Sequence, residues 1–195
     1  MTAQTAPLAG VPGCHWPTPA VETAFLVSGD WPRGRGHASV RWACFPQAGA
    51  PVPGMRAGQV RIARDFTAST LRRWGAAERC DDVAVVVSEL LTNALRHAKP
   101  EVSVNGAGWP VQLGLLQRGH CVTCAVADPS TAAPVPGKPG YLAETGRGLH
   151  IVAALSDRWG FITSGDGGKV TWALFSVQLA PPVPGQRLRR PARHG

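Results

Sequence analysis

No stretch of the 195-residue sequence approaches the roughly 18 to 20 consecutive apolar residues that span a bilayer. Nor does the start of the chain carry a basic segment followed by an apolar run, so a secretory signal is not expected. Together these absences predict a soluble, cytoplasmic protein with no membrane partner. Zinc spacing is also lacking. The five cysteines (Cys14, Cys44, Cys80, Cys121 and Cys124) are odd in number, and their single close pair, Cys121 and Cys124, is followed by no second pair or His-x-x-x-His. On a strand, positions three apart face opposite ways, which argues against shared metal ligation. Small buried thiols are the expectation. No Gly-Lys-Ser/Thr phosphate loop occurs anywhere, and no strand precedes the one Gly-x-Gly of interest as a Rossmann fingerprint would require.

What is present is enough for one ordinary domain with tails: 44% hydrophobic and 16% charged residues allow a core and exclude wholesale disorder. Lysine and arginine outnumber the acids 20 to 12, for a formal net charge of +8. That balance suits an anionic ligand or partner, and nucleic acid rests on charge alone as a distant third reading, one that would show steep salt dependence. Arg187, Arg189, Arg190 and Arg193 crowd a Pro-rich end that reads as a solvated tail over residues 179–195. Residues 1–37, rich in Pro, Ala, Gly and Thr, read as a disordered leader.

Between them, residues 38–178 form the expected domain. Residues 38–45 suit a first strand. From Met55 to Lys99 there is no proline, and Val60, Phe66, Leu71 and Trp74 make an apolar stripe on a helix ending near Gly75. Asp81 and Asp82 then suit an N-cap and first-turn acid of a second helix, which runs through a valine-rich stretch to His97 and closes before Pro100. Strand signals follow at 101–105, 111–117 and 121–127, a broken loop at 129–145, a short helix at 148–155, and strands at 159–163 and 169–177. This order predicts a two-layer α/β sandwich with one mixed, mostly antiparallel sheet.

Three places could carry chemistry. Glu89 and Asn93 are four apart and so share one helix face, and His97 extends the row by a turn. A solvated polar face explains that spacing equally well. Asp128 ends a predicted strand, where an acid can recognise a ligand or simply start a turn before Pro129 and Ser130. Gly146-Arg147-Gly148-Leu149 opens the short helix, where glycines and free N–H groups can approach a phosphate, with Arg147 adding charge. Alone, it is an ordinary loop-to-helix junction.

In order, Val87-Ser-Glu-Leu-Leu-Thr-Asn-Ala-Leu-Arg-His97, Val126-Ala-Asp128, Gly146-Arg-Gly-Leu-His-Ile-Val152 and Gly168-Lys-Val-Thr-Trp172 resemble the GHKL, or histidine-kinase-like ATPase, superfamily. More narrowly, they resemble bacterial anti-sigma-factor serine kinases. The resemblance covers about residues 38 to 177 and implies a Bergerat-type ATP-binding fold. It implies that Asn93 coordinates Mg²⁺ on the phosphates of ATP and that Glu89 activates a partner's serine hydroxyl or a water. It further implies that Asp128 binds the adenine amino group, that Gly146 and Gly148 form the turn beside the phosphates with Arg147 and Leu149, and that Thr171 supports the adenine. His97 is grouped with these nucleotide-binding candidates, and residues 129–145 would form a lid. Where the wider superfamily follows its adenine-binding acid with glycines, this chain has Pro129 and Ser130.

The implied activity is phosphorylation of a serine on an anti-sigma-factor antagonist, sequestration of a sigma factor, or both. Proteins of this type are often dimers, so self-association is also an expectation. The rival reading is a non-catalytic, nucleotide-gated interaction module. A sensor histidine kinase is disfavoured, because no phospho-acceptor helix pair precedes the region and His97 lies within it.

Overall fold

Among the described residues, the alternation of helical and strand periods is realised as a single sheet with its helices on one side. The structure is a computed structural model and describes residues 38–45, 54–97, 111–134, 147–163 and 168–179. The expected leader, the strand at 101–105 and the tail beyond residue 179 lie outside these, while Leu179 itself still packs against the core. Strand β1 (Ala38–Phe45) is followed by helix α1 (Met55–Arg73), a short 3₁₀ turn (Ala77–Arg79) and helix α2 (Cys80–His97). Strands β2 (Val111–Arg118) and β3 (Cys121–Asp128), helix α3 (Gly148–Leu155), and strands β4 (Arg158–Thr163) and β5 (Lys169–Ser176) complete the order.

Helix α1 stops where the sequence says it should. Gly75 takes a left-handed φ of 76°, and Ala76 N–H donates back to the Leu71 carbonyl, closing the end of the helix. Arg72 and Arg73 occupy the last turn, where the helix dipole favours cations. Its buried face differs from the expected stripe, being Gln59, Ala63, Thr67, Thr70 and Leu71. Val60, Phe66 and Trp74 only flank the core. Small and hydroxyl-bearing residues allow α1 to lie close to α2, and Thr67 Oγ1 meets its own need by donating to the Ala63 carbonyl at 2.8 Å.

The valine-rich segment is helical because its apolar residues recur at the helical period. Val83, Val86, Val87, Leu90, Leu91 and Ala94 are all buried on one face of α2. The helix begins two residues earlier than expected, at Cys80, so Asp81 and Asp82 both sit in the first turn, beside the positive end of its dipole.

The sheet runs β1-β2-β3-β5-β4, and all four pairings are antiparallel. Its helix-facing side carries Ala43, Phe45, Val111, Leu113, Leu115, Val122, Cys124, Val126, Ala173 and Phe175, packed with residues of all three helices. The other side carries an apolar cluster drawn from strands alone, with Leu116, Val170, Trp172 and Leu174 at its centre. Both faces being apolar, β3 and β5 read as near-continuous hydrophobic runs rather than as alternation. On that second side Trp42 lies over its cross-strand partner Gly114, and Trp172 over Gly160. A Cβ at Gly114 would sit 2.2 Å from the Trp42 ring, so the bare glycine is what admits the indole.

Cys121 and Cys124 face opposite sides of β3, as their spacing predicts. Among the described residues no group of three or more His, Cys, Asp or Glu is placed to hold a metal. Burial pushes the Cys124 thiol up to about 12. Alkylation of the folded protein at pH 8 should therefore spare Cys124, with mass-spectrometric labelling appearing only after denaturation. Rapid labelling of Cys124 in the native state would contradict its placement in the core. No helix among the described residues is long and apolar enough to cross a membrane.

Candidate functional site

Glu89 and Asn93 lie one turn apart on α2, both half-buried, while Val86, Leu90 and Leu91 beside them are buried in the core. The polar pair therefore sits at the margin of the packed face. Helix α3 closes against this margin. Leu149 and Val152 are buried in the core and anchor the helix. Gly148, its first residue, then lies directly on the pair: a Cβ there would stand 2.6 Å from Glu89 Oε2 and 3.4 Å from Asn93 Nδ2. With glycine here, the backbone comes this near without displacing the Glu89 carboxylate.

The first intrahelical bond after the turn runs from Ile151 N–H to the Arg147 carbonyl at 3.0 Å. N–H groups ahead of such a bond have no acceptor within the helix and form a site for anions. The Arg147 side chain is exposed. Gly146, the 135–145 part of the expected lid and the side chain of His97 lie outside the described residues.

A second group forms where β3 ends and β5 begins. Asp128 is the last residue of β3, on the helix-facing side in register with Val126, and is 7% exposed. Its Oδ1 accepts the Ser130 N–H at 2.9 Å, so the turn-starting reading of this acid holds as well. The same oxygen accepts a hydrogen bond from Lys169 Nζ at 2.8 Å, and Nζ also donates to the Ser130 carbonyl at 3.4 Å. Lys169 pairs with Asp128 across the strands, and Thr171, two residues on, is buried on the same face opposite Val126. Gly168, at φ 89°, passes so close that a Cβ would meet the Asp128 carbonyl oxygen at 2.7 Å. Helix α2 packs against both α3 and β3 and so links the two groups along one side of the sheet.

The structure thus brings Glu89, Asn93, Gly148 and Leu149 together at one place and Asp128 and Thr171 at the other. Lys169 is the residue that sequence reasoning passed over. It stands inside the quoted run Gly168-Lys-Val-Thr-Trp172, but 41 residues from its partner acid, and no local pattern links them.

The sequence profile of the histidine kinase-like ATPase domain matches residues 55–175, which is more than half of the chain and includes both groups. The chain belongs to this family. An uncharacterized protein of Streptomyces coelicolor is 38% identical over 80 residues, covering 39% of this chain and 72% of that protein. Among solved structures, the RsbU and RsbW domains of Rv1364c from Mycobacterium tuberculosis align with 71% of this chain at 15% identity and a TM-score of 0.49. This chain spans only 32% of that one. The histidine kinase domain of the E. coli osmosensor EnvZ aligns over 76% of this chain and all of its own, at 18% identity and a TM-score of 0.34.

Membership in an ATPase-domain family implies ATP binding, and the two groups fit that ligand. Beside Gly148 the N–H groups at the start of α3 suit phosphate oxygens. At the far group a buried carboxylate suits a base. Asn93 and Glu89 offer side-chain oxygens of the kind Mg²⁺ accepts, one or two from protein and the remainder from phosphates and water.

Proposed function

We propose that this histidine kinase-like ATPase domain is a protein serine kinase of the anti-sigma-factor type. It would bind Mg-ATP and phosphorylate a serine of an anti-sigma-factor antagonist, sequester a sigma factor through another surface, or both. The observation that carries the reading is the contact of Gly148 with Glu89 and Asn93. A phosphate-binding helix start, a carboxylate and a carboxamide converge there within side-chain reach.

Phosphoryl transfer requires chiefly positioning and charge neutralisation. Mg²⁺, when bound, supplies the neutralising charge on the phosphates. Asn93 would hold the ion by its amide oxygen. The α3 N-terminus would cradle the phosphates, and Glu89 would accept the proton of the attacking serine hydroxyl. Asp128 would hold the base, with Thr171 supporting it from β5. In a protein of this kind Arg147, exposed at the turn, is free to reach the nucleotide or the partner.

Thermal unfolding with and without Mg-ATP tests the reading. Ligand at about 100 times its dissociation constant adds about 2.7 kcal/mol, a midpoint rise on the order of 5 to 10 °C for a domain of this size. The rise should depend on magnesium and vanish in Asn93→Ala. No shift at millimolar Mg-ATP would sink the proposal. A shift without transfer to any serine-containing antagonist would favour the nucleotide-gated module instead.

A further inference from the structure

The sheet has two apolar faces, and the described helices cover one of them. On the other, Leu116 and Trp172 are each 7% exposed, Leu174 is 9% exposed and Thr123 is 0% exposed. No described residue outside the strands belongs to that cluster. Side chains stand roughly perpendicular to a sheet, so neighbours in the same plane shield their flanks and leave their tips in water. Burial of a whole patch to this depth needs a further layer. We propose that the segment ahead of β1 supplies it, packing on this face through the apolar residues between Trp16 and Trp31.

The face has the relief and the chemistry to receive polypeptide. One register row crosses all the strands of the sheet as Trp42, Gly114, Ala125, Trp172 and Gly160. The Trp42 indole lies over Gly114 and the Trp172 indole over Gly160. Ala125 is thus a low point between two aromatic walls, and Ala127 continues it along β3. On this same face Trp172 Nε1 and Thr123 Oγ1 are buried with no hydrogen-bond partner among the described residues. Leaving a buried polar atom unpaired is costly, and a chain segment brings the carbonyl oxygens that an apolar ligand lacks.

Residues 1–37 lead directly into the strand whose Val40 and Trp42 line the face. Strands spaced about 4.8 Å apart make the sheet roughly 20 Å wide, which about six extended residues can cross. Composition alone reads the segment as disordered. Yet from Trp16 to Trp31 it carries Val21, Phe25, Leu26 and Val27, with Glu22 and Asp30 its only charged residues. The other end of the chain fits less well. Leu179 packs against the helix-side core, and Arg187, Arg189, Arg190 and Arg193 follow it. Unpaired guanidinium groups are costly to place on an apolar face.

The test introduces a benzophenone photo-crosslinker at position 25 of the full chain and locates its adducts by mass spectrometry after irradiation. Adducts are expected within one chain, on the β1, β2 and β5 peptides that carry Trp42, Leu116 and Trp172. Adducts on α1, α2 or α3, or none at all, overturn the proposal. Adducts joining two chains overturn it too, because they place a second copy on the face. Should the crosslinker disturb folding, hydrogen exchange of the unmodified chain decides. Amides of residues 20–31 should exchange at least about ten-fold more slowly than in an isolated peptide of the same sequence. That slowing should vanish in a chain carrying both Phe25→Asp and Leu26→Asp. Exchange at the peptide rate in the wild type, or slowing that survives the two substitutions, overturns the proposal.

Discussion

Asp128→Ala should lower the thermal midpoint by roughly 10 to 20 °C, corresponding to about 3 to 5 kcal/mol for removing one partner of a buried ion pair. The substitution strands Lys169 at 8% exposure with only the Ser130 carbonyl, 3.4 Å away, as an acceptor among the described residues. It also removes the acceptor of the Ser130 N–H that shapes the turn after β3. Most of the effect comes from the uncompensated charge, so Asp128→Ala combined with Lys169→Met should recover a large part of the loss. The two sites share one contact and are not expected to add. Circular-dichroism melts of the two single variants and the double variant check this. A fall of less than about 3 °C for Asp128→Ala would show that the pair does little for the fold.

Gly148→Ala should have the opposite profile, with stability nearly unchanged and nucleotide chemistry badly damaged. Alanine is preferred to glycine in a helix by about 0.5 to 1 kcal/mol, which offsets part of any crowding. The closest atom to the new methyl is Glu89 Oε2 at 2.6 Å, the far end of a flexible side chain, and Asn93 Nδ2 lies at 3.4 Å. Glu89 can swing away at little energetic cost, but the carboxylate then leaves the place where the proposed transfer would use a proton acceptor. A displacement on the order of 1 Å can cost about 100-fold in rate. The midpoint should stay within a few degrees of wild type while phosphate release or transfer falls by about that factor. Equal turnover in Gly148→Ala and wild type would remove Glu89 from the reacting centre.

Much of the fold could be read from local pattern. The proline-free stretch from Met55 to Lys99 became two helices, Gly75 ended the first, and the apolar period of Val83, Val86, Val87, Leu90 and Leu91 settled the helical state of a segment that could pass for a strand. Strands β2 to β5 fall within a residue of their expected ends. The buried face of α1 was misread because apolar periodicity overlooks a helix that packs through Ala63, Thr67 and Thr70. The glycines at 114 and 160 were equally opaque, since what they accommodate, an indole from a neighbouring strand, is set by register.

The candidate site divides along the same line. Glu89 with Asn93, Asp128 at a strand end and glycines before a helix could be named from the sequence, because each is a local arrangement governed by the geometry of its own element. That Gly148 lies on Glu89 and Asn93, and that Lys169 fills one oxygen of Asp128, were decided by tertiary structure alone. Those contacts join residues 59, 55 and 41 positions apart. Backbone propensity and hydrophobic period act over a few residues, whereas such a pairing depends on how two helices and two strands dock.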